Sequence, residues 1–284
     1  MTIETSGRPR KVRGTKEFQR VIWTHYQSKG RLLPWRETHD PYRILVSEIM
    51  LQQTQVERVL QKYPPFIEQF PGFGSLASSD RCDLLRAWNG LGYNRRALCL
   101  RETARRIDSE FCGSLPEFGE KLRSLPGIGA ATAGALQAFV FEKPVAFIET
   151  NIRRVFIHFF FQNRNRVSDA EILPLVAKTL DTKAVRSWYY ALMDYGALLK
   201  REGVNANRRS AHYARQSPFE TSTRRIRGLI VKNLLERSSA SVDDLVQALD
   251  TPIDKLVPII NQLASEGFVE KAGIEVCIRT ADLD

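Results

Sequence analysis

The sequence predicts an all-α body followed by a small domain of three helices and a hairpin. Three observations carry that prediction. Apolar residues recur at helical spacing through most of the first two hundred positions. The tight turn Leu125-Pro126-Gly127-Ile128-Gly129 opens directly into a run of small residues, 130–138, with helical character. After an Asn- and Arg-rich break at 202–218 the periodic pattern resumes and ends in two short β-prone runs.

The elements follow in order. Positions 1–15 read as a basic tail whose Arg8, Arg10, Lys11 and Arg13 face either phosphate or solvent. Positions 16–29 form an amphipathic helix with Phe18, Val21, Ile22 and Tyr26 on one face. Leu33-Pro34-Trp35-Arg36 breaks it, and Pro41 starts a second helix that runs to about Gln61 with Ile44, Leu45, Ile49, Val56 and Val59 inward. Runs at 66–70 and 84–91 continue the pattern up to a second tight turn, Gly90-Leu91-Gly92-Tyr93, and 95–111 is a strongly basic helix. An apolar, strand-like run precedes the lone carboxylate Glu149, and helices at 169–180 and 185–200 complete the body. The linker at 201–222 lies wrapped over that body. Arg201, Arg208, Arg209, Arg215, Arg224, Arg225 and Arg227 crowd this region, facing phosphate or solvent. The last domain, 223–284, has helices at 226–235, 241–249 and 251–266, capped or started by Ser241 and Pro252. Strands at 268–271 and 274–278 flank Ala272-Gly273, which makes a winged helix-turn-helix. Its third helix offers DNA only Lys255, Asn261 and Gln262, so docking to protein suits it at least as well.

Composition narrows the function. The 284 residues are 43% hydrophobic, enough for a sizeable core. Forty-two Lys and Arg against 32 acids give +10, which suits a polyanion. The four cysteines, Cys82, Cys99, Cys112 and Cys277, make no CxxC pair and imply neither a zinc site nor a disulfide framework. His25, His39, His158 and His212 form no ligand motif, which disfavours a metal hydrolase. The polar N-terminus lacks the apolar core of a signal peptide, and no run is long enough to span a membrane. A cytoplasmic, nucleoid-associated monomer is expected.

Two motifs carry chemistry. In the first, Pro126 fixes φ while Gly127 and Gly129 admit positive φ and close approach. The N–H groups that follow stand at a helix N-terminus, where the macrodipole favours an anion, and Ala130, Ala131 and Thr132 leave room for a phosphate. A helical corner with no ligand satisfies the same residues. In the second, the run Ser47-Glu48-Ile49-Met50-Leu51-Gln52-Gln53-Thr54-Gln55-Val56 sets one carboxylate ahead of a cluster of amides able to bond base edges. Alone it is an ordinary helix face.

Together with Leu33-Pro34-Trp35-Arg36, Gly90-Leu91-Gly92-Tyr93 and Met193-Asp194-Tyr195-Gly196-Ala197, these motifs resemble the helix-hairpin-helix superfamily of base-excision DNA glycosylases over about 33–199, nearest its adenine-specific, MutY-type branch. The resemblance implies a two-lobed helix-hairpin-helix glycosylase fold at 16–200 with a DNA cleft between the lobes. Its partner would be double-stranded DNA carrying a damaged or mismatched base, and the nucleotide would be flipped out of the duplex. It implies that Gln52, Gln53 and Tyr93 fill the vacated space. The hairpin at Gly127 and Gly129, with Ala131, Thr132 and Arg153, would hold backbone phosphate, with a monovalent cation on the hairpin carbonyls. Glu48 would protonate the leaving base from a raised pKa, Glu149 would stay ionised beside the oxocarbenium-like sugar, and Arg36 and Asn151 would support them.

Four departures refine the expectation. The second carboxylate is Glu149 where the family has aspartate. Ala131 stands where bifunctional members carry lysine, so no Schiff base and no β-lyase step are expected. The segment 200–218 that follows the Met193 motif has no cysteine, so no iron–sulfur cluster and no other cofactor is expected. A winged helix replaces the Nudix-like domain that reads oxidised guanine. A monofunctional glycosylase acting first on adenine in a mispair is the leading reading. A thymine or uracil mismatch enzyme, and a non-catalytic DNA binder on the same scaffold, are the alternatives.

Overall fold

The computed structural model describes residues 12, 14–215, 218–220 and 222–280. The expected roles of Arg8, Arg10, Lys11 and Arg13 lie outside them. In chain order the helices are α1 (Thr15–Lys29), α2 (Pro41–Leu51), α3 (Val56–Gln69), α4 (Phe73–Ala77), α5 (Arg81–Trp88), α6 (Arg95–Glu110), α7 (Gly119–Arg123), α8 (Ala130–Phe139), α9 (Thr150–Phe160), α10 (Asp169–Thr179) and α11 (Val185–Arg201). Then come α12 (Thr223–Arg237), β1 (Ser239–Ser241), α13 (Val242–Leu249), α14 (Ile253–Ser265), β2 (Val269–Ala272) and β3 (Glu275–Ile278). The molecule is mainly helical. Its described residues form two compact units, one from Met1–Glu48 and Pro116–Arg215, the other from Ile49–Leu115 and Gln216–Asp284.

The first unit is organised around aromatic rings. Phe18 of α1 meets Phe156, Phe159 and Phe160 of α9 and Trp188 of α11 at centroid distances of 5.0–6.0 Å, within the range where tilted and edge-on pairs add to apolar burial. A second cluster joins Phe139, Phe147, Tyr189 and Tyr190. The apolar run before Glu149 is irregular rather than a strand. It has no strand to pair with; Phe147 is buried 4.3 Å from the Tyr189 ring, and Tyr189 Oη donates to the Val145 carbonyl at 2.6 Å. Helices α9 and α11 approach so closely at Gly196 that a Cβ there would lie 2.6 Å from the Asn151 carbonyl oxygen.

The segment after α11 is tied to this unit by specific bonds. A short 3-10 turn, Ala206–Arg209, buries Ala206 and Asn207. Arg209 is neither phosphate-facing nor solvated. Its guanidinium donates to the carbonyls of Phe161 (2.7 Å), Ile157 (3.2 Å) and Gln162, which caps the C-terminus of α9 where carbonyls lack helical partners. Val167 N–H donates to the Arg209 carbonyl at 2.8 Å, and Ala211 N–H returns to Val167 at 2.8 Å.

The single helix expected from Pro41 to about Gln61, whose first residues belong to the first unit and whose later ones belong to the second, is two helices. It stops at Leu51, Gln53 takes φ 56°, and α3 restarts at Val56. No apolar side chain in 52–55 holds the turn against a core, and a distant arginine takes the last carbonyls, as described below. Phe66 and Trp88 meet edge-on at 5.8 Å. The C-terminal part consists of α12–α14 on a three-stranded antiparallel sheet of order β1-β3-β2, with Ala240 opposite Val276 and Glu270 opposite Cys277. Strand β1 is an addition to the hairpin the sequence predicts. Ile230, Leu234, Leu245, Leu256, Ile260, Leu263, Phe268 and Val276 form its core. Ser241 and Asp244 make a reciprocal cap on α13, with Ser241 N–H donating to Asp244 Oδ2 at 3.1 Å.

Candidate functional site

Two carboxylates in the first unit have different surroundings. Glu48 is half-buried near the C-terminal end of α2, between the buried Ser47 and Ile49. Burial pushes its carboxyl up to about 8, with help from the negative charge of Glu149 and against the pull of Arg36. Glu149 N-caps α9. Its Oε1 accepts the N–H groups of Asn151 and Ile152, both at 2.7 Å, and its Oε2 accepts Asn151 Nδ2 at 3.3 Å. Burial raises the Glu149 pKa, but these donors, with Arg154 and Arg153, oppose it. Burial thus raises both carboxyls, but backbone donors and two arginines favour charge on Glu149, while Glu48 faces burial and the Glu149 charge. Asn151 is held in turn, because Arg154 Nη1 donates to its Oδ1 at 2.7 Å and to the Gly196 carbonyl at 2.8 Å. Asn207 Nδ2 donates to the Thr150 carbonyl at 3.0 Å, which ties the segment after α11 to the same helix start.

Arg36, whose charge pulls against the proton on Glu48, belongs to a lattice centred on Asp194. Asp194 of α11, its side chain 1% exposed, accepts Arg36 Nη2 and Nη1 at 2.8 and 2.9 Å, Arg31 Nε at 2.6 Å and the Arg31 N–H at 2.9 Å. Burial pushes the Asp194 carboxyl up, but the two arginines outweigh it and hold it below the usual range. The Arg36 guanidinium lies 4.4 Å over the Tyr190 ring, and Arg186 donates to Tyr190 Oη at 3.1 Å. Beside this lattice is a cavity of about 300 Å³ lined by Tyr26, Arg31, Leu33, Arg36, Arg186 and Tyr190. A lone carboxylate in the otherwise apolar stretch of α11 was the available signal for Asp194; its partners were not.

The hairpin forms as expected. Gly127 has φ 76°, a region costly for any other residue, and Ile128 N–H closes the turn onto the Leu125 carbonyl at 3.2 Å. Gly129 is the N-cap of α8, whose first bond is Ala133 N–H to Gly129 at 2.9 Å. Gly127, Gly129, Ala130 and Ala131 are exposed and Thr132 is half-buried, so the helix start is open to an anion. Arg153 is placed otherwise. Its guanidinium makes two 2.7 Å bonds to Asp169, and an arginine so engaged must break that pair to meet a phosphate.

Gln52, Gln53 and Tyr93 belong to the second unit, where Arg96 binds their two turns together. Arg96 Nη1 donates to the carbonyls of Ile49 (2.8 Å), Met50 (2.9 Å) and Gln52 (2.6 Å). Its Nη2 donates to Thr54 Oγ1 (2.9 Å) and to the carbonyls of Leu91 (3.0 Å) and Gly92 (2.9 Å). Gly92 and Tyr93 both take positive φ, 72° and 47°. Sequence reasoning missed Arg96, one of many arginines in a basic helix. Among the described residues no group of three His, Cys, Asp or Glu is placed to hold a metal ion, and the four cysteines are unpaired and do not converge as a cluster site needs. No helix of the described residues is long and apolar enough to cross a membrane.

The pair of carboxylates predicts a pH profile. If protonated Glu48 delivers a proton, the rate falls about tenfold per pH unit above about 8. It also falls at the acid end, as Glu149 takes up a proton above the usual carboxylate range. Stability should fall as pH rises from the ordinary glutamate value of 4.5 to about 8, because the folded protein keeps a proton on Glu48 that the unfolded chain releases. A rate independent of pH from 6 to 9.5 would remove Glu48 from the chemistry.

Residues 46–175 match the family model of the HhH-GPD superfamily of base excision DNA repair proteins. The chain is 36% identical over 190 residues to the adenine DNA glycosylase of Buchnera aphidicola subsp. Baizongia pistaciae (strain Bp), covering 65% of this chain and 53% of that protein. It is 44% identical over 131 residues to the adenine DNA glycosylase of Mycobacterium tuberculosis (strain ATCC 25618 / H37Rv), covering 46% of this chain and 43% of that one. The chain thus spans about half the length of the curated relatives it matches. Among solved structures, a thermostable thymine-DNA glycosylase superposes with TM-score 0.60 at 27% identity, covering 70% of this chain and 96% of that one. A non-covalent endonuclease III–DNA complex superposes with TM-score 0.55 at 14% identity, over 65% of this chain and 86% of that one, a likeness of fold.

Proposed function

We propose that the chain, whose residues 46–175 match the family model of the HhH-GPD superfamily of base excision DNA repair proteins, is a monofunctional DNA glycosylase of that superfamily. It hydrolyses the N-glycosidic bond of a flipped-out base in mispaired or damaged duplex DNA. One observation carries this reading: two neighbouring carboxylates in unlike surroundings, Glu48 raised by burial to about 8 and Glu149 N-capping α9 with donors and arginines that favour its charge, which suits the first to the acid's role and the second to the anion's. Adenine is the first substrate, supported by the curated relatives named as adenine DNA glycosylases. Thymine is the second, supported by the likeness to a thymine-DNA glycosylase over nearly all of that chain.

In this reaction the backbone is gripped at the start of α8, by Gly127, Gly129, Ala131 and Thr132, with a monovalent cation on the hairpin carbonyls. Gln52, Gln53 and Tyr93 take the space of the extruded nucleotide. Glu48 donates its proton to the departing base, which leaves as a neutral molecule. Positive charge then develops on the sugar, and Glu149 stabilises it through Oε2, since Oε1 is occupied by two backbone donors. The longer Glu149 side chain is steadied by its role as helix cap. Water completes the hydrolysis and leaves an abasic site. No amine stands at Ala131 to form a Schiff base, so strand cleavage by β-elimination does not follow. The enzyme works as a monomer at the nucleoid without an iron–sulfur cluster; Arg209 and Asn207 secure the segment where relatives of this type place the cluster loop. Residues 223–284 form a winged helix-turn-helix joined by the linker at 201–222 to the glycosylase core at 16–200.

The test is single-turnover excision with excess protein, on duplexes carrying A, T, U, hypoxanthine or an oxidised base opposite each normal base. Strand scission only after alkali, on one or two of them, is expected. Scission without alkali would refute the monofunctional assignment. Tight duplex binding with no scission on any substrate would favour a non-catalytic binder.

A further inference from the structure

Tyr93 is 39% exposed and is held between two guanidiniums. Arg96 of α6 lies with Cζ 5.7 Å from the ring centroid. Arg224, from the first turn of α12, lies 6.0 Å from the same ring and donates from Nη1 to Tyr93 Oη at 2.8 Å. The C-terminal part that carries Arg224 is fixed to the helix leading into Tyr93. Buried Arg81 of α5 donates to the Gly267 carbonyl at 2.5 Å, and Arg86 of α5 to the Leu235 carbonyl at 3.4 Å. Trp88, at the end of the same helix, donates to the Gly92 carbonyl at 3.2 Å. The neighbouring arginines of α12 point elsewhere, Arg225 to Glu220 and Arg227 to Glu266.

We propose that Arg224 is a positioning residue through which the C-terminal part holds Tyr93 ready for insertion into the duplex, so that this part takes a share in strand opening. The inference rests on the glycosylase reading and assigns the appended domain a task within it. A tyrosine at positive φ on an exposed turn has several rotamers open to it. A charge-assisted bond to its hydroxyl, from a helix anchored to the same unit, selects one before DNA arrives. An arginine at this place could instead meet a phosphate directly, and the two roles separate experimentally.

The experiment is a double-mutant cycle on single-turnover excision from a duplex carrying the mispaired target base, with wild type, R224A, Y93F and the double variant. R224A is expected to slow excision about fivefold, the worth of one such bond. In the Y93F background, where the acceptor is gone, adding R224A is expected to change the rate by less than about twofold. R224A should also lose little on a target placed opposite an abasic site, where extrusion is already easy. An equal loss from R224A with and without the Tyr93 hydroxyl makes Arg224 a phosphate contact and overturns the proposal, as does an R224A protein as fast as wild type. A wild-type protein that excises nothing overturns the glycosylase reading itself, and this inference with it.

Discussion

Glu48→Gln protein binds target duplex as wild type does but excises about a thousandfold more slowly, in the middle of the range for loss of a positioned general acid. The amide keeps the shape of the side chain and cannot deliver a proton. It also keeps the charge, because burial holds the Glu48 carboxyl neutral up to about pH 8. The substitution therefore leaves the folded site's electrostatics nearly unchanged at pH 7, and the thermal midpoint should not fall; it should rise at pH 7, because the amide escapes the proton uptake that folding imposes on Glu48. This separates chemistry from folding more cleanly than replacing an ionised carboxylate would. Single-turnover excision, duplex binding and thermal melting on the same preparation decide it. Excision at the wild-type rate would show that another group supplies the proton. Equal losses of excision and melting temperature would make Glu48 structural.

Asp194→Asn has the largest expected effect on stability. The Asp194 carboxylate is nearly inaccessible and accepts four bonds from Arg31 and Arg36. Removing the charge leaves the Arg36 guanidinium, 7% exposed, without its counter-ion in a place water hardly reaches. Breaking one side of a buried pair costs about 3–5 kcal/mol, more than the pair's net worth, because the remaining charge stays desolvated. Arg31 is one-third exposed and can turn to water, which favours the lower end. A second consequence reaches the chemistry. Arg36 already pulls the Glu48 pKa down against burial. Freed from Asp194, its full charge faces Glu48, so the alkaline limb of the excision profile should move to lower pH. Urea unfolding at pH 7 and a pH–rate profile measure the two effects. A stability change under about 1 kcal/mol would show that the lattice is solvated rather than buried.

Local chemistry made much of this protein legible. The hairpin at Gly127 follows from proline and glycine φ preferences, and α8 begins where small residues do. Glu149 stood out as a lone carboxylate after an apolar run, and Glu48 as a carboxylate ahead of a cluster of amides. Ala131 and the absence of cysteine from 200–218 are plain in the order of residues. Helices α1, α6, α10 and α11 end within a residue or two of their predicted bounds, because apolar spacing and caps are written within the helix itself.

Tertiary structure decided what depends on partners distant in the chain. The break after Leu51 was invisible because the carbonyls of Ile49, Met50 and Gln52 are taken by Arg96, 44–47 residues away. Arg209, expected to face phosphate or solvent, caps α9. Arg153, read as a DNA contact, faces Asp169, and Asp194 acquired importance only when Arg31 and Arg36 closed on it. Strand β1 exists because β3 is there to pair with it. One physical reason covers these cases. A guanidinium carries five donors on a long stem and can serve carbonyls or carboxylates wherever the fold brings them. Periodicity records which face of an element is buried. It carries no information about which of many arginines will meet which acceptor.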